Sequence, residues 1–371
     1  MLPLAGLRVL DLSRLLPGPM CSWYLRGLGA TVVKVEEPGA GDPLRHLPPA
    51  GDDGVGAWFS AINAGVHSVT LQLRAPADRA LLEGLINDAD VLIEGFRPGA
   101  MARLGLDPAE LCARHPRLIL ASISGFGQTG PLKHAPGHDL GYVGLAGHLA
   151  LGAPVGGAPA VPAVQVADLA GGALMAALQI SAALYARAGT GRGAWIDVNM
   201  TAGALSLAAP ALAEAALGEA APPGTGLLTG GLPFYACYAC QDGRFITVAA
   251  LEPNFQAAFE VEMGFGFPAS AAEAAALFAQ APRDQWVERL GGACVGPALS
   301  LEEVLGHPLH RGQIVGEGRS RRVAPPFPGP HPWQLAPAPA LGAGDAGLRA
   351  AGAAGAGYWA GAVGTPVPPE G

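Results

Sequence analysis

His138, Asp168 and Glu252 stand where acid–base chemistry is often built, each at the start of a predicted helix: Pro136-Gly137-His138-Asp139, Val166-Ala167-Asp168-Leu169 and Leu251-Glu252-Pro253. Each also has a plain structural reading. An acid in a first turn complements the helix dipole, and a histidine beside it is a neighbour of the cap. Two features favour chemistry. Asp168 is the only acid between Asp139 and Asp197, in an otherwise apolar stretch. Gly171 and Gly172, one turn on, admit the close approach of another backbone or a ligand. The start at Gly137-His138-Asp139 presents free N–H groups suited to a developing enolate oxygen. A base beside an oxyanion site is what proton removal next to a thioester requires.

Other signals carry less. Gly125-Phe126-Gly127-Gln128-Thr129-Gly130 fits the dinucleotide spacing after a strand, but Pro131 and Pro136 follow, so the required helix cannot begin there. We read that loop as exposed backbone that approaches a ligand closely. Cys237-Tyr238-Ala239-Cys240 lacks a second ligand pair, and on a strand its cysteines face opposite ways, so we expect small core residues and no metal site. His307 and His310 flank Pro308 and read as a surface turn.

The elements that must position these residues alternate. Strands are predicted at 7–13, 31–37, 67–73, 90–96, 118–124 and 194–200. Helical patterns at 18–29, 76–89 and 99–115 separate the earlier ones, and apolar helices at 138–150 and 167–188 precede the last. Strand and helix in alternation mean a parallel sheet covered by helices. A helix is predicted at 201–218 and a linker at 221–233. A hairpin around Gln241-Asp242-Gly243 then opens a smaller unit. The tail from about Ala324 is rich in Pro, Gly and Ala.

The composition bounds the rest. The chain has 371 residues, enough for two ordinary domains, and a net charge of −8, which argues against a nucleic-acid partner. Half the residues are hydrophobic, yet no run of 18 apolar residues is free of polar residues and glycine, so no membrane span is expected. The N-terminus runs straight into a strand and shows no signal peptide. Five cysteines without a framework spacing point to reduced thiols in a cytosol. We expect that neither domain closes its own core.

Several motifs together resemble CoA-transferase family III, and within it the α-methylacyl-CoA racemases. The general marks are Gly6-Leu7-Arg8-Val9-Leu10-Asp11, Pro17-Gly18-Pro19, the segment 28–36, Glu94-Gly95-Phe96-Arg97-Pro98-Gly99 and the segment 124–131. The racemase marks are Gly137-His138-Asp139, the segment 230–235 and Ala250-Leu251-Glu252-Pro253. The resemblance covers about residues 5–315. It implies an α/β fold: a large Rossmann-like CoA-binding domain (1–200), a linker (201–230), a small α+β domain (231–315) and a C-terminal segment (316–371) returning to the large domain. Two chains would interlock as a homodimer.

The implied reaction is epimerisation of a 2-methylacyl-CoA through an enolate. His138 paired with Glu252 would serve one face of the α-carbon and Asp168 the other, with Tyr235 and the Asp139 backbone holding the enolate. Coenzyme A enters as part of the substrate, with no prosthetic group. Arg97 and Arg103 are the expected CoA ligands, with Arg74, Lys34, Arg45, Gly125 and Gly127 as further candidates. The chain departs from the racemase pattern at Glu37, Val66, His67 and Arg74, positions expected to line the CoA cradle. The alternative reaction is CoA transfer, with Asp168 as covalent nucleophile.

Overall fold

The structure, a computed structural model, describes residues 2–327, 336–352 and 356–363. The described chain divides into two compact units. The first comprises Met1–Ala146, Ala163–Leu207 and Gly312–Gly371; the second comprises Gly147–Pro162 and Ala208–Arg311. The sequence-based segmentation kept 147–162 in the first domain, whereas here it groups with the second.

In the first unit all six predicted strands form, trimmed at their ends: β1 Arg8–Asp11, β2 Thr31–Glu36, β3 His67–Thr70, β4 Val91–Glu94, β5 Ile119–Ser124 and β6 Trp195–Asn199. They pair in parallel in the order β3-β2-β1-β4-β5-β6. This is the doubly wound order, which reverses between β1 and β4 and opens a crevice at the carboxyl ends of the strands. Helices α1 Pro17–Gly27, α2 Ala57–Ile62 and α3 Pro76–Asn87 lie between the earlier strands. Proline opens α1 and α3, where its missing N–H is no loss. The helical pattern at 99–115 is two helices, α4 Ala100–Arg103 and α5 Pro108–Arg114. Gly105, at φ +74°, ends the first, and Asp107 caps the second by accepting from Ala109 and Glu110 N–H.

The apolar stretch at 138–150 likewise breaks, into α6 Asp139–Leu145 and α7 His148–Leu151, with left-handed Gly147 between them. The next helix opens as a π-helix over Ala167–Leu174 and continues as α8 Met175–Thr190. After β6, α9 Met200–Leu207 and α10 Ala209–Ala216 replace the single helix expected at 201–218, the second with Pro210 in its first turn. On one face of the sheet Leu10, Val33, Leu92 and Leu120 pack with Leu82, Leu85 and Leu111. Helices α15 Asp345–Ala351 and α16 Ala356–Val363 join that core through Leu348 and Trp359, whose Nε1 donates to Leu85 O at 3.1 Å. Residues 328–335, 353–355 and 364–371 of the tail lie outside the described residues.

The second unit carries the predicted hairpin, β7 Tyr235–Ala239 with β8 Phe245–Ala249, and adds β9 Val295–Ala298 antiparallel to β8. Helices α11 Pro253–Met263, α12 Ala271–Phe278, α13 Arg283–Leu290 and α14 Leu301–Gly306 complete it. Tyr238, Ile246, Val248, Phe259, Phe278 and Trp286 form its own buried core. Each unit therefore has a core of its own, and the expectation that neither would close one is not met. The aromatic residues of α11 to α13 supply the area a small sheet lacks. Cys237 is exposed and Cys240 buried, on opposite faces of the strand end as read from the spacing. The helix Ala167–Thr190 is long and apolar enough, by length and composition alone, to cross a membrane. It exposes Leu178 and Tyr185 at 63% and 86%.

Candidate active site

Three of the five expected catalytic residues meet in the first unit. His138 is the N-cap of α6; its backbone is extended (φ −136°, ψ 170°) and its side chain is exposed and makes no cap hydrogen bond. Asp139 follows, buried, and its Oδ1 accepts the Asp168 N–H at 2.9 Å. One carboxylate thus ties the start of α6 to the start of the π-helix. The π-helix comes close because it packs on α9 without side chains at the crossing. A Cβ on Gly171 would lie 2.5 Å from Met200 O and 2.7 Å from Ala204 N, and one on Gly203 2.2 Å from Gly171 O. The close approach foreseen at Gly171 is that of a backbone.

Asp168 is partly buried, and burial pushes its carboxyl up to about 6; the nearby Asp139 charge adds to the rise and His138 offsets part of it. A carboxyl poised there exchanges protons readily at neutral pH. Tyr142 completes the cluster and was not foreseen. Its ring lies edge-on to Phe126, centroids 5.2 Å apart. It packs so tightly on the glycine loop that a Cβ on Gly125 or Gly137 would sit 2.4 Å from it. Burial, then the Asp168 charge, raise its phenol, while Arg97 acts the other way. Its position three residues after Asp139, on the same helix face, was the available signal.

Tyr235 and Glu252 belong to the second unit. Tyr235 opens β7 opposite Ala249, and Glu252 is the N-cap of α11, extended at φ −80° and ψ 145° with no side-chain cap bond.

The expected CoA ligands separate. A cavity of about 530 Å³ lies at the carboxyl ends of β1 to β4, where the strand order reverses. Leu12, Leu73, Phe96 and Leu104 supply apolar walls, and Arg74 and Arg103 line it. Arg14 lines it too and was missed, since one exposed arginine after a strand carries no spacing signal. None of these three guanidiniums has an ion pair among the described residues, so all three are available to an anionic ligand.

Lys34, Arg45, Arg97, Gly125 and Gly127 stand differently from Arg74 and Arg103. Lys34 reaches the cavity, but its ammonium is fully buried, 2.9 Å from Asp42 and 3.0 Å from Ser13 O, so its charge is already neutralised. Arg45 is no cavity residue: it is buried against Glu36 (2.6 Å), Pro339 O (2.9 Å) and the Phe59 ring. Arg97 is exposed and does not line the cavity; its charge acts on Tyr142. Gly125 and Gly127 do not line it either. Gly125 makes room for Tyr142, and Gly127 (φ +81°) closes on Asp197 and Asn199. Among the departures from the racemase pattern, Glu37 and Arg74 line the cavity. Val66 and His67 stand at the amino end of β3, away from it, because the crevice opens at the other end of the strands.

The six-stranded parallel sheet with helices between its strands defines an α/β protein of the doubly wound class. The pattern of CoA-transferase family III matches residues 4–340, and the chain belongs to that family. The α-methylacyl-CoA racemase of Homo sapiens is 37% identical over 320 residues, 82% of this chain and 80% of that protein. An acetyl-CoA:oxalate CoA-transferase of Acetobacter aceti is 40% identical over 261 residues, 70% of this chain and 66% of that protein. The crystal structure of a CaiB/BaiF family protein from Brucella suis superposes with a TM-score of 0.82 at 29% identity, covering 94% of this chain and 99% of that one.

Proposed function

We propose that this chain is a racemase of 2-methylacyl-CoA thioesters. The observation that carries the reading is the cluster in which Asp139 joins the His138 and Asp168 helix starts while Asp168 is held near neutrality. A general base takes the α-proton, and the C–H electron pair moves to the thioester oxygen. The second group returns a proton to the opposite face, the enolate collapses and the new C–H bond inverts the centre. In this reading Asp168 serves one face and His138 the other. Glu252 partners the imidazole, and Tyr235 with the Asp139 N–H holds the enolate oxygen, roles that come from the resemblance. The cavity with Arg14, Arg74 and Arg103 takes the anionic nucleotide end of coenzyme A. The enzyme works in the cytosol as a homodimer without a prosthetic group.

Asp168→Asn tests the assignment. It keeps the shape and removes the basicity, so interconversion of epimers falls by about 10² or more. Exchange of one epimer's α-proton in deuterated water persists, with retention, through His138. Loss of both exchanges together would mean that Asp168 does other work.

The likeness to the Acetobacter transferase supports a second reading, in which the same carboxylate attacks the thioester carbonyl, releases CoA thiolate and forms a mixed anhydride. Acyl-CoA with hydroxylamine then leaves a hydroxamate on Asp168, seen by mass spectrometry, and CoA passes to a free acid without α-proton exchange. That outcome rejects the racemase.

A further inference from the structure

A row of polar side chains crosses β4, β5 and β6. The register sets Glu94 beside Ser122 and Ser122 beside Asp197, so all three project from one face of the sheet. Trp195 Nε1 donates to Ser122 Oγ at 2.9 Å, Ser122 bonds Glu94, and the Phe96 N–H donates to Glu94 Oε2 at 2.8 Å. At the end of the row Asp197 Oδ2 accepts the Gln128 N–H at 2.9 Å. Gln128 belongs to the glycine loop 125–130. Gly127 brings that loop so near β6 that a Cβ there would lie 3.2 Å from Asp197 Oδ2. At its other end Gly125 O accepts from the Thr201 hydroxyl (2.7 Å) and N–H (3.1 Å).

The loop is therefore pinned on one side by β6 and the start of α9. Its other side is the seat of Tyr142, whose ring rests on Gly125 and which follows Asp139 by three residues on α6, the helix whose first carboxylate accepts the Asp168 N–H. Three glycines in six residues leave such a loop many conformations to lose, so its place depends on its anchors. A carboxylate accepting a backbone N–H is a charge-assisted bond and a stronger anchor than a neutral one.

We infer that Asp197 is a positioning residue of the acid-base site: by holding the Gln128 N–H it fixes the glycine loop and, through it, the seat of Tyr142 beside Asp139 and Asp168. The inference rests on the proton-transfer reading for its effect on rate, and on geometry alone for its effect on the loop.

Both are measured on the full chain with Asp197→Ala and Asp197→Asn. The alanine variant should lose about tenfold in turnover of α-proton exchange, the weight of one hydrogen bond to a charged group, with KM within about twofold and melting nearly unchanged. Amides of 125–130 should exchange with deuterium about tenfold faster. The asparagine variant, whose amide oxygen still accepts, should recover most of both. Wild-type turnover and wild-type loop exchange in Asp197→Ala would overturn the inference. So would an asparagine variant as impaired as the alanine one, with melting lowered in both, since that is the mark of a merely structural residue. If the wild type exchanges no α-proton but the loop responds as expected, the positioning role stands and the racemase reading fails.

Discussion

Asp168 meets three influences, and each can be altered separately. Burial raises its carboxyl most, the Asp139 charge adds to the rise and His138 opposes it. On the proposed reading the epimer whose proton Asp168 removes needs the group ionised, so its kcat/KM should fall as pH drops through about 6. Asp139→Asn keeps an oxygen for the Asp168 N–H and removes the neighbouring charge. The acid limb of that profile should then move to lower pH, as read from initial rates with each epimer; a limb that stays in place would mean burial alone sets it. Arg97 and Arg103 should part in the same assays. Arg103→Ala removes a cavity guanidinium and should raise KM for acyl-CoA about tenfold. Arg97→Ala removes a charge that acts on Tyr142 and should act on turnover instead.

At the scale of elements, the crossing of the π-helix over α9 sets where Asp168 stands. The contact at Gly171 is with backbone atoms that cannot swing away, so Gly171→Ala must push the helices apart. Overpacking of this kind costs about 1–3 kcal/mol, and because Asp168 lies one turn before, turnover should fall with stability. Denaturant unfolding and the exchange assay measure the two. Strand β4 carries a second testable strain. Burial lifts Glu94 to about 7, with Asp197 adding to the rise and bonds from Ser122 and Phe96 opposing it. The folded-state value exceeds the ordinary 4.5, so ionising Glu94 costs stability above neutrality and nothing at low pH. Glu94→Gln should accordingly stabilise the fold at pH 8, by on the order of 2 kcal/mol, and leave it nearly unchanged below about pH 4.5.

For the molecule as a whole, the helix Ala167–Thr190 carries large apolar side chains at the surface. Leu174, Leu178 and Tyr185 are exposed along it. On the proposed reading a second copy of the chain covers apolar surface of this kind, and light scattering at micromolar concentration should give the mass of two chains. A monomer would set the homodimer aside without touching the chemistry of Asp168.

The sequence by itself determined the parallel sheet, because short apolar runs alternating with helical patterns pack as parallel strands covered by helices; the strand order came from the tertiary structure. It also determined which residues were worth testing: an isolated acid in an apolar stretch and a His-Asp pair at a helix start are visible without coordinates. Tertiary structure decided the rest. That Lys34 and Arg45 are neutralised within the fold, while Arg14 and Arg103 have no ion pair among the described residues, depends on how the turn after β2 brings Asp42 and Glu36, eight and nine positions away, against them. That Gly125 serves Tyr142, and Gly127 closes on Asp197, depends on contacts spanning 17 and 70 positions, beyond any local pattern. Spacing reports which face a side chain takes on its own element; only packing reports what that face meets.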